Sequence, residues 1–384
     1  MTLIDRGPPA AVDPQASLAD LLPAAAAALG LTRLGRAALT LPAAQVVVVL
    51  LVDGLGDDLL AERGGHAPFL RTLRARQPNG VALAGFPSTT ATSMGMLGTG
   101  LLPGAHGLVG LDVLDPDRDR LFSELAWDPE VDPRRWQPEP TVFEQLAAAQ
   151  IEAVRIGPGY FDGSGLTEAA LRGGRFVAAD TLRARVQAAL DAARSIERGL
   201  IYVYWGEVDK AGHVYGSRSW QWGDELTAVD SMAQQLAEGL PAGSLLVVTA
   251  DHGMVDVPFE DRVDVAFEPD LSAGIRHVGG EARALHLYCA PGAADDVLAA
   301  WQHRLGDRMD LATRDQAVRA GWFGPVHARV LPRIGDVVVS AVGQVAVVDS
   351  RTARPEALRL LGLHGARTPA ERRVPVLLGG PIAG

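Results

Sequence analysis

Three acids in this chain stand where a parallel sheet would do its chemistry. Asp53 closes Val46-Val47-Val48-Val49-Leu50-Leu51-Val52, Asp209 follows Gly199–Trp205 after a Gly206-Glu207-Val208 step, and Asp251 closes Ser244–Ala250. A single carboxylate in such a place is commonly an N-cap for the next helix. Three of them, two accompanied by histidine, are not explained as caps. Asp209 and His213 are four apart, so they share one face of a turn and can reach one cation. Asp251 and His252 are adjacent and fall on different sides of a strand end, which suits two neighbouring ions better than one. His364 lies between Gly362 and Gly365, as expected where backbone crowds a ligand. Carboxylate oxygens mixed with imidazoles, and no thiolate, suit Zn, Mn or Fe rather than Ca.

A second element supplies hydroxyls. Phe86-Pro87-Ser88-Thr89-Thr90-Ala91-Thr92-Ser93 runs into small and apolar residues as far as Thr99-Gly100. This pattern puts one hydroxyl at a helix N-terminus, where free amides and the helix dipole favour an anion. A hydroxyl held there beside a cation ionises near neutral pH and becomes a nucleophile.

The elements that must position these residues read as an α/β fold. The runs at Val46–Val52, Gly199–Trp205 and Ser244–Asp251 lack alternation, the mark of strands buried on both faces of a parallel sheet. Helical segments are predicted at Thr141–Gln150, Ala179–Ser195 and Trp222–Gly239, so the central, mostly parallel sheet is flanked by helices. Residues 1–40 read as a Pro-rich lead-in and a helix capped by Ser17. Residues 257–345 read as a small α+β insertion, with strands at Ala284–Ala290 and Gly335–Ala341 and helices at Ala293–Leu305 and Arg314–Ala320. The main domain is then 41–256 plus 346–384, ending in a helix-like Pro355–Leu361 and an apolar run, Val374–Leu378.

Composition narrows the partners. Lys+Arg 35 against Asp+Glu 46 gives a net charge of −11 over 384 residues, which disfavours a nucleic-acid polymer. Cys289 is the single cysteine and reads as a small core residue. The longest strongly apolar stretch, Val46–Val52, is far short of the ~20 residues that span a bilayer. The N-terminal MTLIDRGPPAAVDPQ lacks the pattern of a signal peptide, so a cytoplasmic protein without a membrane anchor is expected.

Taken in order, these pieces resemble the alkaline phosphatase superfamily, in its type I phosphodiesterase/nucleotide pyrophosphatase branch. The matching segments are Leu51–Gly54, Phe86–Gly100, Pro103-Gly104-Ala105-His106-Gly107, Asp209–His213, Thr249–Met254 and His364-Gly365. The resemblance implies two divalent ions, Zn first. One would be held by Asp53, Asp251 and His252, the other by Asp209, His213 and His364. It further implies a nucleophile at Thr90, ten residues before Gly100, with Thr89 as the alternative, and a structural His106. The activity implied is hydrolysis of a phosphodiester or pyrophosphate in a small substrate, with a nucleotide among the candidates. Two departures weaken a nucleotide: Ala91 stands where an aromatic residue commonly follows the nucleophile, and Leu108–Asp112 holds no Asn. Trp127, Trp136, Trp205, Trp220 and Trp222 could offer a stacking surface but read better as core or rim, and Arg276, His277 and Arg283 as solvated residues near the insertion. A phosphomonoesterase or phosphonate hydrolase on the same site is the alternative activity. A metal-stabilised binding module is the alternative from another class.

Overall fold

The computed structural model describes residues 11–12, 16–32, 34 and 38–382. The Pro-rich lead-in therefore lies largely outside the described residues. Its helix follows Ser17, whose backbone N–H and hydroxyl both donate to Asp20 Oδ2 at 2.8 and 2.9 Å. One 3-10 turn, Leu18–Asp20, leads into the α-helix Leu21–Ala28.

All seven residues of Val46–Val52 are buried, because this strand lies inside a sheet covered on both faces. The sheet has six strands in the order Leu377–Gly379, Ser244–Thr249, Val46–Val52, Gly199–Trp205, Glu152–Gly157 and Arg175–Ala178. Only the edge strand Leu377–Gly379 runs antiparallel. Helices Pro68–Arg76, Leu182–Ser195 and Trp220–Gly239 pack together as one layer, and Leu21–Ala28, Thr90–Thr99, Val142–Ala148 and Gly165–Ala170 as another.

A second, antiparallel sheet follows the order Met309–Thr313, Val337–Ala341, Ala284–Cys289, Ile275–Glu281, Asp112–Asp115 and Arg120–Ser123. It has its own core, in which Leu285, Leu287, Trp301, Val337 and Val339 pack together. Cys289 belongs to that core. Residues 257–345 do not build this sheet alone, since the hairpin at 112–123 completes it. That hairpin carries Asp112, Asp115 and Arg120, which hide its strand character in the sequence.

Two local expectations change. Pro355–Leu361 contains only the single 3-10 turn Ala357–Arg359. Val374–Leu378 is split between two strands: Arg373–Pro375 pairs with Val81–Leu83, and Leu377–Gly379 closes the parallel sheet. Among the described residues no helix is long and apolar enough to cross a membrane.

Candidate active site

Strand register brings the acids together. Thr249 pairs with Leu51, so Asp251 and Asp53 emerge level with one another two residues later. Val52 pairs with Trp205, and the Asp53 N–H donates to the Trp205 carbonyl at 2.8 Å. The chain leaving Trp205 turns at once into the helix Glu207–Tyr215, which carries Asp209 and His213 on one face. Gly54, with φ +73°, lets the two segments meet, since a Cβ there would lie 2.9 Å from three Asp209 atoms.

All six residues singled out from the sequence converge, as two groups of three. Asp53, Asp251 and His252 form one, and Asp209, His213 and His364 the other; within each group the candidate donor atoms lie within 4.8 Å of one another. His252 Nε2 is 3.4 Å from Asp53 Oδ1 and 3.5 Å from Asp251 Oδ2. His213 Nε2 is 3.2 Å from Asp209 Oδ2, and His364 Nε2 is 4.0 Å from Asp209 Oδ1. The groups share a wall, where the His252 and His364 rings stack with centroids 3.8 Å apart. Asp251 and His252 therefore sit in one group, not in two. The strand ends at Thr249, and the turn that follows removes the alternation expected of a strand end.

In each of the three site histidines the Nδ1 atom faces a backbone carbonyl. The partners are Gly362 O for His213 at 2.7 Å, Gly253 O for His252 at 3.0 Å and Ser88 O for His364 at 3.0 Å. An Nδ1–H donating there leaves each Nε2 lone pair turned inward. Asp53 Oδ1, Asp209 Oδ1 and Asp251 Oδ2 are buried without a hydrogen-bond partner among the described residues. Orphaned carboxylate oxygens cost stability unless a cation meets them. This donor set fits divalent cations, and its O/N composition is of the kind that binds Zn, Mn or Fe.

The electrostatics agree. Burial, together with the charges of Asp251 and Asp209, pushes Asp53 well above the usual carboxylate range. Burial and the Asp209 charge push Asp251 up to about 7. Asp209 is buried too, but His213, His364 and His252 outweigh that and hold it low. Burial works against a charged His213, yet Asp209 raises it to about 9. His364 is held well below the ordinary value by burial and then by His252. Three carboxylates so close cannot all ionise without added positive charge.

The helix expected after Phe86-Pro87 is Thr90–Thr99, with Thr89 as its N-cap. Thr90 Oγ1 lies 3.4 Å from His252 Nε2, whereas the Thr89 side chain faces Glu281. Ser93 Oγ donates to the Asp251 carbonyl at 2.7 Å and fixes the helix to the acid-bearing turn. Ser88 ties the same loop to the His364 segment: its N–H donates to Gly365 O at 2.9 Å and its hydroxyl to Ala366 O at 2.8 Å. His106 is fully buried against Gly95 of this helix, and burial lowers it to about 3.

Two contributors were not read from the sequence. The Tyr204 hydroxyl donates to Asp53 Oδ2 at 2.5 Å, and Glu281 Oε2 approaches His364 Nδ1 at 3.2 Å. Tyr204 is the penultimate residue of the buried strand Gly199–Trp205 beside Asp53, which was a usable signal; Glu281 arrives from the other sheet and gave none. The residues weighed as substrate contacts disperse. Trp222 is fully buried, Trp136 stacks under Arg333 and Trp205 under Arg185, and only Trp220 is largely exposed, at 70%. Arg276 and His277 pair with Asp119. Arg283, expected on a solvated loop, is 0% exposed and bonds Glu371 with two 2.8 Å contacts.

Comparison with known proteins matches the family model for type I phosphodiesterase/nucleotide pyrophosphatase over residues 47–367. The chain belongs to that family. With it the chain joins the alkaline phosphatase superfamily. An uncharacterised pyrophosphatase/phosphodiesterase of Schizosaccharomyces pombe is 27% identical over 229 residues, covering 54% of this chain but only 44% of that protein. Human ectonucleotide pyrophosphatase/phosphodiesterase 5 superposes with a TM-score of 0.68 at 19% identity, over 87% of this chain and 88% of that one. An inactive threonine-to-alanine variant of its murine counterpart, in complex with AMP, gives 0.68 at 18% identity over 88% of each chain. Phosphonoacetate hydrolase from Sinorhizobium meliloti, in complex with phosphonoacetate, gives 0.68 at 19% identity over 88% of this chain and 91% of that one. At these identities the three structures establish the shared fold.

Proposed function

We propose that this protein is a two-cation hydrolase of small phosphodiesters or pyrophosphates that uses Thr90 as its nucleophile. The observation that carries this is the placement of Thr90 at a helix start, facing His252 beside the two groups of inward-turned donors. Asp53, Asp251 and His252 would hold one cation, and Asp209, His213 and His364 the other. When bound, such ions lower the pKa of a neighbouring hydroxyl and neutralise charge developing at phosphorus.

The chain's own residues do the rest. Thr90 Oγ1 attacks phosphorus in line, the bond to the leaving oxygen breaks, and the threonine proton passes to solvent. The first-turn amides of Thr90–Thr99 have no intrahelical acceptor and donate to the equatorial oxygens. Water then hydrolyses the threonine ester and restores the hydroxyl. Thr89 is the weaker candidate because its side chain faces Glu281.

A monoanionic diester suits the site better than a dianion. The nearby arginines are already committed, Arg185 to the carbonyls of Ala179 and Tyr204 and Arg283 to Glu371. A phosphonate hydrolase is the second reading, favoured by the likeness to phosphonoacetate hydrolase. Turnover of bis-p-nitrophenyl phosphate above that of p-nitrophenyl phosphate and phenylphosphonate is expected with Zn present. Faster turnover of phenylphosphonate would transfer the assignment to the second reading, and no turnover of any of the three would leave a binding module. We further propose a cytoplasmic location, supported by a lone buried Cys289, which cell fractionation would test.

A further inference from the structure

Glu281 ends the strand Ile275–Glu281 of the antiparallel sheet, yet its side chain works in the other unit. Its side chain is 8% exposed, and its carboxyl reaches His364 Nδ1 at 3.2 Å, with the Thr89 side chain facing it. The glycine after His364 exists to admit it: Gly365 has φ +124°, and a Cβ there would meet Glu281 Cγ at 2.8 Å. His364 Nδ1 thus faces two acceptors, Glu281 Oε2 and the Ser88 carbonyl. Among the described residues, His213 and His252 have only a carbonyl at Nδ1. Two acceptors on one nitrogen fix the proton there and leave the Nε2 lone pair free for a cation, and a carboxyl partner makes that nitrogen a stronger ligand than a carbonyl does. Glu281 Oε1 is buried and has no partner among the described residues. A residue kept only for packing gains nothing from such an oxygen, because an apolar side chain would fill the space without its cost.

We infer that Glu281 is a positioning residue, which orients His364 and tightens the cation held with Asp209 and His213, so that the antiparallel sheet sets the affinity of one of the two ions. The inference rests on the two-cation reading, and the test separates the two. Full-length parent, Glu281→Gln and Glu281→Leu are compared for Zn stoichiometry and affinity by chelator competition, with thermal unfolding of the metal-free forms alongside. The parent binds two ions; Glu281→Leu weakens one of them about 10- to 100-fold and leaves the other within about twofold. Glu281→Gln, which keeps an acceptor oxygen, falls between. In a His213→Ala background, Glu281→Leu adds no further loss, which assigns the affected ion. If Glu281→Leu does not fold, Glu281→Gln decides alone. Unchanged affinities at both ions, or equal losses at both, overturn the inference; a parent that binds fewer than two ions overturns the two-cation reading instead.

Discussion

The two groups of three residues are built on opposite plans. Asp53, Asp251 and His252 stand directly after adjacent strands of the parallel sheet, and their side chains are no more than 5% exposed. Asp209 and His213 come from a helix and His364 from a late loop, and their side chains are 8 to 22% exposed. The first group gathers two acids around one imidazole, the second two imidazoles around one acid. In the first, burial and like charge push the carboxyls up. In the second, the imidazoles hold Asp209 down. The sheet-borne group therefore carries excess negative charge that a cation or a proton relieves, while the more exposed group balances its one acid with imidazoles.

The largest expected effect leaves both groups intact. Thr90→Ala should lower turnover of bis-p-nitrophenyl phosphate by about 10³-fold or more, with Zn stoichiometry unchanged by elemental analysis. Next, Asp251→Asn should remove one ion and cost about 10²-fold or more in activity, while the ion of the Asp209 group remains. Loss of both ions would show that the groups are one unit and not two.

Acid should sharpen the contrast. Ligand protonation competes with metal binding. As pH falls from 7 to 5, the ion of the Asp53 group should dissociate first, because Asp53 and Asp251 are both raised while Asp209 and His364 are held low, and Zn release against a colorimetric chelator follows it. Simultaneous release would contradict the difference in plan.

A smaller effect is expected for Tyr204→Phe, which removes the hydroxyl donated to Asp53. About 1 kcal/mol, or up to tenfold in affinity, should be lost at the first ion alone, read by the same chelator titration.

The smallest effect concerns the metal-free protein. Asp251 has a folded pKa raised from 3.8 to about 7. Its contribution is therefore fully present below about pH 4 and is lost as pH rises through 7. Metal-free protein should lose a few degrees of its unfolding temperature over that window, and Asp251→Asn should flatten the slope. Calorimetry against pH reads both.

How much of this was legible follows from which interactions are local. The runs at Val46–Val52, Gly199–Trp205 and Ser244–Thr249 are unbroken because both sheet faces are covered, so the sheet and its acid-tipped ends could be read directly. Glu152–Gly157 could not, since Glu152 and Arg155 interrupt the apolar pattern of a strand beside them. The pairing of Asp209 with His213 is written in helical spacing. The union of Asp251 with His252 depends on the turn after Thr249, which spacing alone misread. Glycines beside His364 signalled crowding, and the protein groups nearest them are Glu281, Met254 and the Gly212 backbone. Glu281 and the hairpin at 112–123 reach their places only through the register of the second sheet, and no local pattern encodes that.

The central claim is that Thr90 attacks phosphorus beside two cations. Zn-loaded protein mixed with bis-p-nitrophenyl phosphate, quenched in acid within the first turnover and mapped by peptide mass spectrometry, tests it most directly. A p-nitrophenyl phosphoryl adduct on Thr90, formed in step with the first p-nitrophenolate released, is the predicted result. Product release with Thr90 unmodified, or an adduct on Thr89, would contradict it.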